Sequence, residues 1–167
     1  MDKRRKYYVM LDTETCPLDK EFNGVSPFNM FVYDIGWAVV DKNGNVYETK
    51  SYINRDIFME EKDLMNSAYY SDKIPKYWED IKNGTRVLKS FRSIEKIFRR
   101  VCADWNVDTF VAHNARFDYL ALQNTKRYIT TSRYRWFFPY GAKFIDTLKL
   151  SRLALGENEI YKEFCIE

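Results

Sequence analysis

With 167 residues, 46% of them hydrophobic and 17% aromatic, the chain can bury one substantial core but hardly two, so a single domain is expected over 1–167. A net charge of +3 is too small to prove a polyanionic partner, and Cys16, Cys102 and Cys165 are odd in number and lack Cys-x-x-Cys spacing, which argues against a disulfide framework or a thiolate zinc site. The apolar run near the N-terminus, Val9-Met10-Leu11, is far too short for a signal peptide and no stretch approaches membrane-spanning length, so a reducing, cytoplasmic setting without a membrane partner is expected.

In chain order, Tyr7 to Thr15 reads as a first strand and Asp34 to Asp41 as a second. Lys42-Asn43-Gly44-Asn45 is the strongest turn signal, because Asn-Gly favours the positive φ of tight hairpins, and Val46 to Ile53 returns as a third strand. These three form an antiparallel meander. Asp56 to Gly84 is polar and interrupted by Pro75, which predicts short helices. Ser93 reads as the cap of a helix carrying Ile94, Ile97, Phe98, Val101, Cys102 and Trp105, ending near Asn106. A short fourth strand follows at Thr109 to Ala112, and a helix from Ala115 to about Tyr128 with Phe117, Leu120, Ala121 and Tyr128 near one face. Lys143 to Ile145 reads as a fifth strand, and Asp146 is placed to cap a helix from Thr147 to Leu155. Strands one, four and five would deliver Asp12 and Glu14, His113 and Asn114, and Asp146 to one edge of a mixed sheet, where ligands gather in such folds.

Asp12 and Glu14 follow an apolar run and alternate with Thr13, so both carboxylates are expected on one face of a strand. Acids stationed beside a neutral core need a positive partner, and oxygen ligands suit magnesium or manganese better than zinc. Phosphodiester hydrolysis uses such an arrangement: two cations about 4 Å apart polarise the phosphate and activate water. The spacing alone is weak evidence, since Asp19-Lys20-Glu21 has the same pattern after Pro17 and reads as a solvated loop. Lys126 to Arg152 holds seven basic residues against one acid, Asp146. Within it, Arg133-Tyr134-Arg135-Trp136-Phe137-Phe138-Pro139-Tyr140 mixes cations with rings, as single-strand binders do and as ordinary cores also do, with Trp136 or Phe137 expected inside.

Leu11-Asp12-Thr13-Glu14-Thr15 and His113-Asn114-Ala115-Arg116-Phe117-Asp118 resemble the first two motifs of the DEDD superfamily of 3′-to-5′ exonucleases, a group including the proofreading epsilon subunit of bacterial DNA polymerase III and phage relatives. Asp146-Thr147-Leu148-Lys149-Leu150-Ser151-Arg152 is similar to a segment that often precedes that family's last motif. The likeness spans Tyr7 to about Cys165. It implies an α/β, ribonuclease H-like domain with a mixed five-stranded sheet and flanking helices, and a Mg2+ or Mn2+ two-metal site. In that reading Asp12, Glu14 and Asp118 are the catalytic, metal-binding residues, while Thr13, Thr15, Asn114 and Asp146 approach the 3′-terminal nucleotide. The implied activity is 3′-to-5′ hydrolysis of DNA, on single strands or 3′ ends, in replication or repair and with a DNA polymerase as a further partner. Asn114 and Asp118, four apart, are expected to share a helical face with Phe117 packed inward.

The family's third motif, a helix with a final Asp preceded by His or Tyr, is not found before Glu167, and neither Tyr161 nor Glu163 has the spacing to replace it. A fragment or truncated gene product is therefore expected. Two alternatives stay open: a non-catalytic nucleic-acid- or protein-binding module on the same fold, and a 3′-to-5′ exoribonuclease.

Overall fold

The computed structural model of the chain describes residues 5–18 and 29–155. Asp19-Lys20-Glu21, Lys3 and Arg4, and the Glu159–Glu167 stretch lie outside the described residues. Six strands, β1 (Tyr7–Pro17), β2 (Met30–Asp41), β3 (Val46–Asn54), β4 (Leu88–Lys89), β5 (Thr109–Ala112) and β6 (Lys143–Asp146), form one sheet in the order β4-β3-β2-β1-β5-β6. The five expected strands are all present. The sixth, β4, has only two residues and pairs in parallel with the end of β3, too short to leave a periodic signal. β1 runs two residues past its expected end and β2 begins four residues before its expected start, because Thr15, Cys16 and Pro17 pair with Val32, Phe31 and Met30 beyond a bulge.

That bulge matters for what each face carries. Glu14 pairs with Asp34 and Thr15 with Val32, leaving Tyr33 as the extra residue, and such an insertion re-aims the side chains that follow. One face of the sheet carries Val9, Leu11, Ile35 and Trp37 against Ile94 and Phe98 of α4 (Phe91–Asp104) and Ala121 and Leu122 of α5 (Ala115–Ile129). Beyond the bulge, Cys16, Phe31 and Tyr33 belong to a second cluster, with Ile57 and Phe58 of α1 (Arg55–Phe58), Met65 of α2 (Lys62–Met65) and Tyr77 of α3 (Ile74–Lys82). The short helices expected between Asp56 and Gly84 thus cover the face opposite α4 and α5.

The β2–β3 hairpin forms where expected, with Gly44 alone at positive φ, +81°. Its anchor is Asp41, whose carboxylate accepts from the Asn43 and Asn45 amides and from Tyr47 Oη, at 2.8, 3.1 and 2.9 Å. These donors hold the Asp41 carboxyl down at about 2, the Asn45 side chain contributing most.

Ser90, not Ser93, caps α4: its Oγ accepts from the Ser93 amide at 3.3 Å. Phe91, buried at the first helical position, starts the apolar face one turn earlier than the Ile94 to Trp105 pattern implies. In α5 the buried positions are Ala115, Asp118, Ala121, Leu122, Gln123 and Thr125, whereas Phe117 is half-buried and Tyr128 is exposed, its ring stacked on Phe31 at 4.5 Å.

Candidate functional site

Parallel pairing of β1, β5 and β6 sets the geometry of the candidate site. Val9 and Met10 pair with Phe110 and Val111, and Ala112 pairs with Asp146. Continued in that register, Asp12 stands level with His113, just past the carboxyl ends of β5 and β6, while β1 itself runs on to Pro17; strand ends are where open α/β sheets bind ligands. The chain leaves β5 through Asn114 at φ 60°, ψ 51°, a left-handed conformation that asparagine tolerates better than most residues. Asn114 is therefore not helical and is exposed, while Asp118 is buried, so the two do not share a helical face.

Asp146 fixes this corner. Its Oδ1 accepts from the backbone amides of Asn114 and Leu148, each at 3.1 Å, and of Lys149 at 3.4 Å. It thus caps α6 (Thr147–Leu155) and ties it to the turn entering α5. His113 Nδ1 lies 3.2 Å from Thr147 Oγ1, a local contact across the same corner.

Along β1 burial alternates: Asp12 is exposed, Thr13 buried and Glu14 half-buried. Asp12 and Glu14 therefore share the face away from Val9 and Leu11, and Thr13 points toward α5. There Thr13 Oγ1 donates to Asp118 Oδ1 at 2.8 Å. Asp118 is only 3% exposed, and burial raises its carboxyl to about 7, with the nearby Asp12 charge adding to the rise and the Thr13 hydroxyl opposing it. Burial also raises Glu14, reinforced by Asp12 and then Asp34, and opposed by Lys73 and Arg86. Asp12 is the common neighbour of both acids.

A fourth carboxylate, not singled out in the sequence, faces Glu14 across the β1–β2 ladder. Asp34 Oδ2 accepts from Tyr77 Oη at 2.9 Å and from Arg86 Nη1 at 2.7 Å. Arg86 stacks 3.9 Å over the Tyr77 ring and its Nε donates to Asp80 at 3.2 Å. Burial still raises the Asp34 carboxyl, and its Oδ1 is buried without a hydrogen bond among the described residues. Contacts spanning 43 and 52 residues leave no local sequence signal.

Oxygen donors of this kind suit Mg2+ or Mn2+. Asp12 and Glu14, sharing one face, fit as half of such a site. Among the described residues, however, no group of three or more His, Cys, Asp or Glu side chains lies close enough together to hold a metal ion. Asp118 is engaged from the other side of the strand by Thr13. Cys16, beside the site in sequence, is fully buried and its thiol is pushed up to about 12, which leaves it an inert packing residue.

No protein-family model matches the chain, and no curated protein matches it. Solved structures do. E. coli exonuclease I in complex with a dA16 oligonucleotide matches with a TM-score of 0.52 and 12% identity, covering 92% of this chain and 31% of that one. A complex of SSB and exonuclease I matches with 0.52, 14%, 93% and 32%. The metal-free E. coli exonuclease I complex with single-stranded DNA matches with 0.50, 13%, 93% and 31%. This chain thus spans about a third of the length of the structures it matches. At such identities the likeness is one of fold, and the fold is the ribonuclease H-like α/β arrangement of exonucleases. No described helix is long and apolar enough to cross a membrane.

Proposed function

We propose that this chain is the catalytic domain, or part of it, of a metal-dependent exonuclease that hydrolyses DNA from the 3′ end. One observation carries the reading: Asp12 and Glu14 share one face of β1 level with the ends of β5 and β6, and burial first and the Asp12 charge second raise the Glu14 carboxyl, a clustering of acids that a divalent cation would relieve. Asp12 and Glu14 are the metal ligands in this proposal; Asp118, engaged by Thr13 from the other side of β1, is a neighbouring acid and not a third ligand. A bound Mg2+ or Mn2+ would supply Lewis-acid polarisation of the phosphate and a more acidic water. Thr13 acts as a positioning residue through its hydrogen bond to Asp118. In this proposal Thr15, Asn114 and Asp146 approach the 3′-terminal nucleotide. Exonuclease I structures containing single-stranded DNA share the fold, which supports single strands as the substrate class.

A 5′-labelled single-stranded oligonucleotide incubated with Mn2+ or Mg2+ should shorten stepwise, and Asp12→Ala, which removes a metal ligand, should abolish the shortening. Equal shortening by the variant would remove the basis of the proposal. A second reading is favoured by the lack of a three-ligand group among the described residues: a binding module that keeps the fold without the chemistry. It predicts salt-sensitive binding of single strands and no cleavage with either metal.

A further inference from the structure

The basic, aromatic stretch after α5 takes no part in the site described above, and the structure sorts its rings into two sets. Phe137 and Phe138 are buried in the main core, so Phe137 is the interior residue and Trp136 is not. Tyr134 is 79% exposed, Trp136 56%, and Tyr140 fully. Their loop forms one wall of a groove of about 1940 Å³ that also runs along α4 and α5 and reaches Asp146 at the head of α6. The walls are braced by paired cations: Arg99 and Lys126 both bind Glu95, and Arg99 also donates to the carbonyls of Trp136 and Phe138. Arg92, Lys96 and Lys149 line the groove and have no ion pair among the described residues. Gln123, 2% exposed, accepts from the Phe137 amide at 3.2 Å and leaves its Nε2 buried without a hydrogen bond.

We infer that this groove is a second binding surface for single-stranded DNA, holding the strand upstream of the end offered to Asp12 and Glu14. The identity of the ligand rests on the nuclease reading. Two chemistries meet in the groove that a single strand satisfies together. Unpaired cations take phosphates, and exposed rings stack on bases whatever their sequence. The fifteen residues of α5 extend about 22 Å, long enough for several nucleotides in a row. A groove that begins beside Asn114 and Asp146 is also continuous with the strand-end site.

The test is fluorescence anisotropy of a labelled oligothymidylate in EDTA, so that binding is read without turnover. Trp136→Ala and Tyr140→Ala, at exposed positions, should melt like the parent and bind roughly ten-fold more weakly. Lys96→Gln should reduce the slope of log K against log salt by about 0.7. With metal restored, hydrolysis of a dinucleotide, too short to reach the groove, should proceed at the parent rate in all three. Unchanged affinity and salt slope in all three variants, the result if residues 156–167, a second copy or a protein occupies the groove, would overturn the inference, as would no binding by the parent chain. Cleavage that persists in Asp12→Ala while Trp136→Ala binds weakly would sink the nuclease reading and leave the groove standing.

Discussion

Asp118 is a carboxyl held almost entirely out of water, with one threonine hydroxyl donating to it and another acid close by. Its ordinary value is 3.8 and its folded value about 7, so the folded chain keeps a proton that the unfolded chain releases. A raised carboxyl contributes stability that is fully present below the unfolded value and is lost as pH climbs through the folded one. The contribution disappears at about 1.4 kcal/mol per pH unit across that window. Asp118→Asn keeps an acceptor for Thr13 and has no proton to lose. Thermal melts from about pH 4 to pH 8 should show the variant flatter than the parent across the window and more stable at its upper end; parallel profiles would contradict this. The sequence made Asp118 visible as an acid after an apolar strand. It did not reveal Thr13 as the partner, because alternation along β1 directs attention to the opposite face, where Asp12 and Glu14 point.

At the scale of elements, β1, β5 and β6 were legible because apolar runs bounded by polar residues mark strands, and the Asn43-Gly44 turn because few sequences tolerate its backbone. Two serines precede the apolar face of α4, and local pattern favoured Ser93, adjacent to Ile94. The helix starts at Phe91, and Ser90, extended at φ −62°, ψ 147°, supplies the capping oxygen. Ser90→Ala should therefore cost about 1 kcal/mol in denaturant unfolding, while Ser93→Ala should change stability by a few tenths at most. The reverse order would contradict the assignment. The Asp34, Tyr77, Arg86 and Asp80 network was hidden for a different reason. Its members come from β2, α3 and the loop before β4, and only the folded sheet brings them beside Glu14.

For the whole molecule, what decides function is where parallel strands end together. The order β4-β3-β2-β1-β5-β6 sets the carboxyl ends of β5 and β6 beside the middle of β1, so that His113, Asn114 and Asp146 come next to the stretch of β1 that carries Asp12, while Asp118 reaches it from α5. Likeness in fold to exonuclease I over 92–94% of the chain reaches as far as that architecture. The chemistry turns on whether Asp12 and Glu14 attract a divalent ion. Calorimetric titration of Mn2+ into the chain and into a Asp12→Asn, Glu14→Gln double variant tests this most directly. Saturable Mn2+ binding by the parent that is lost in the double variant is the predicted result; no binding by the parent, or equal binding by both, would contradict it.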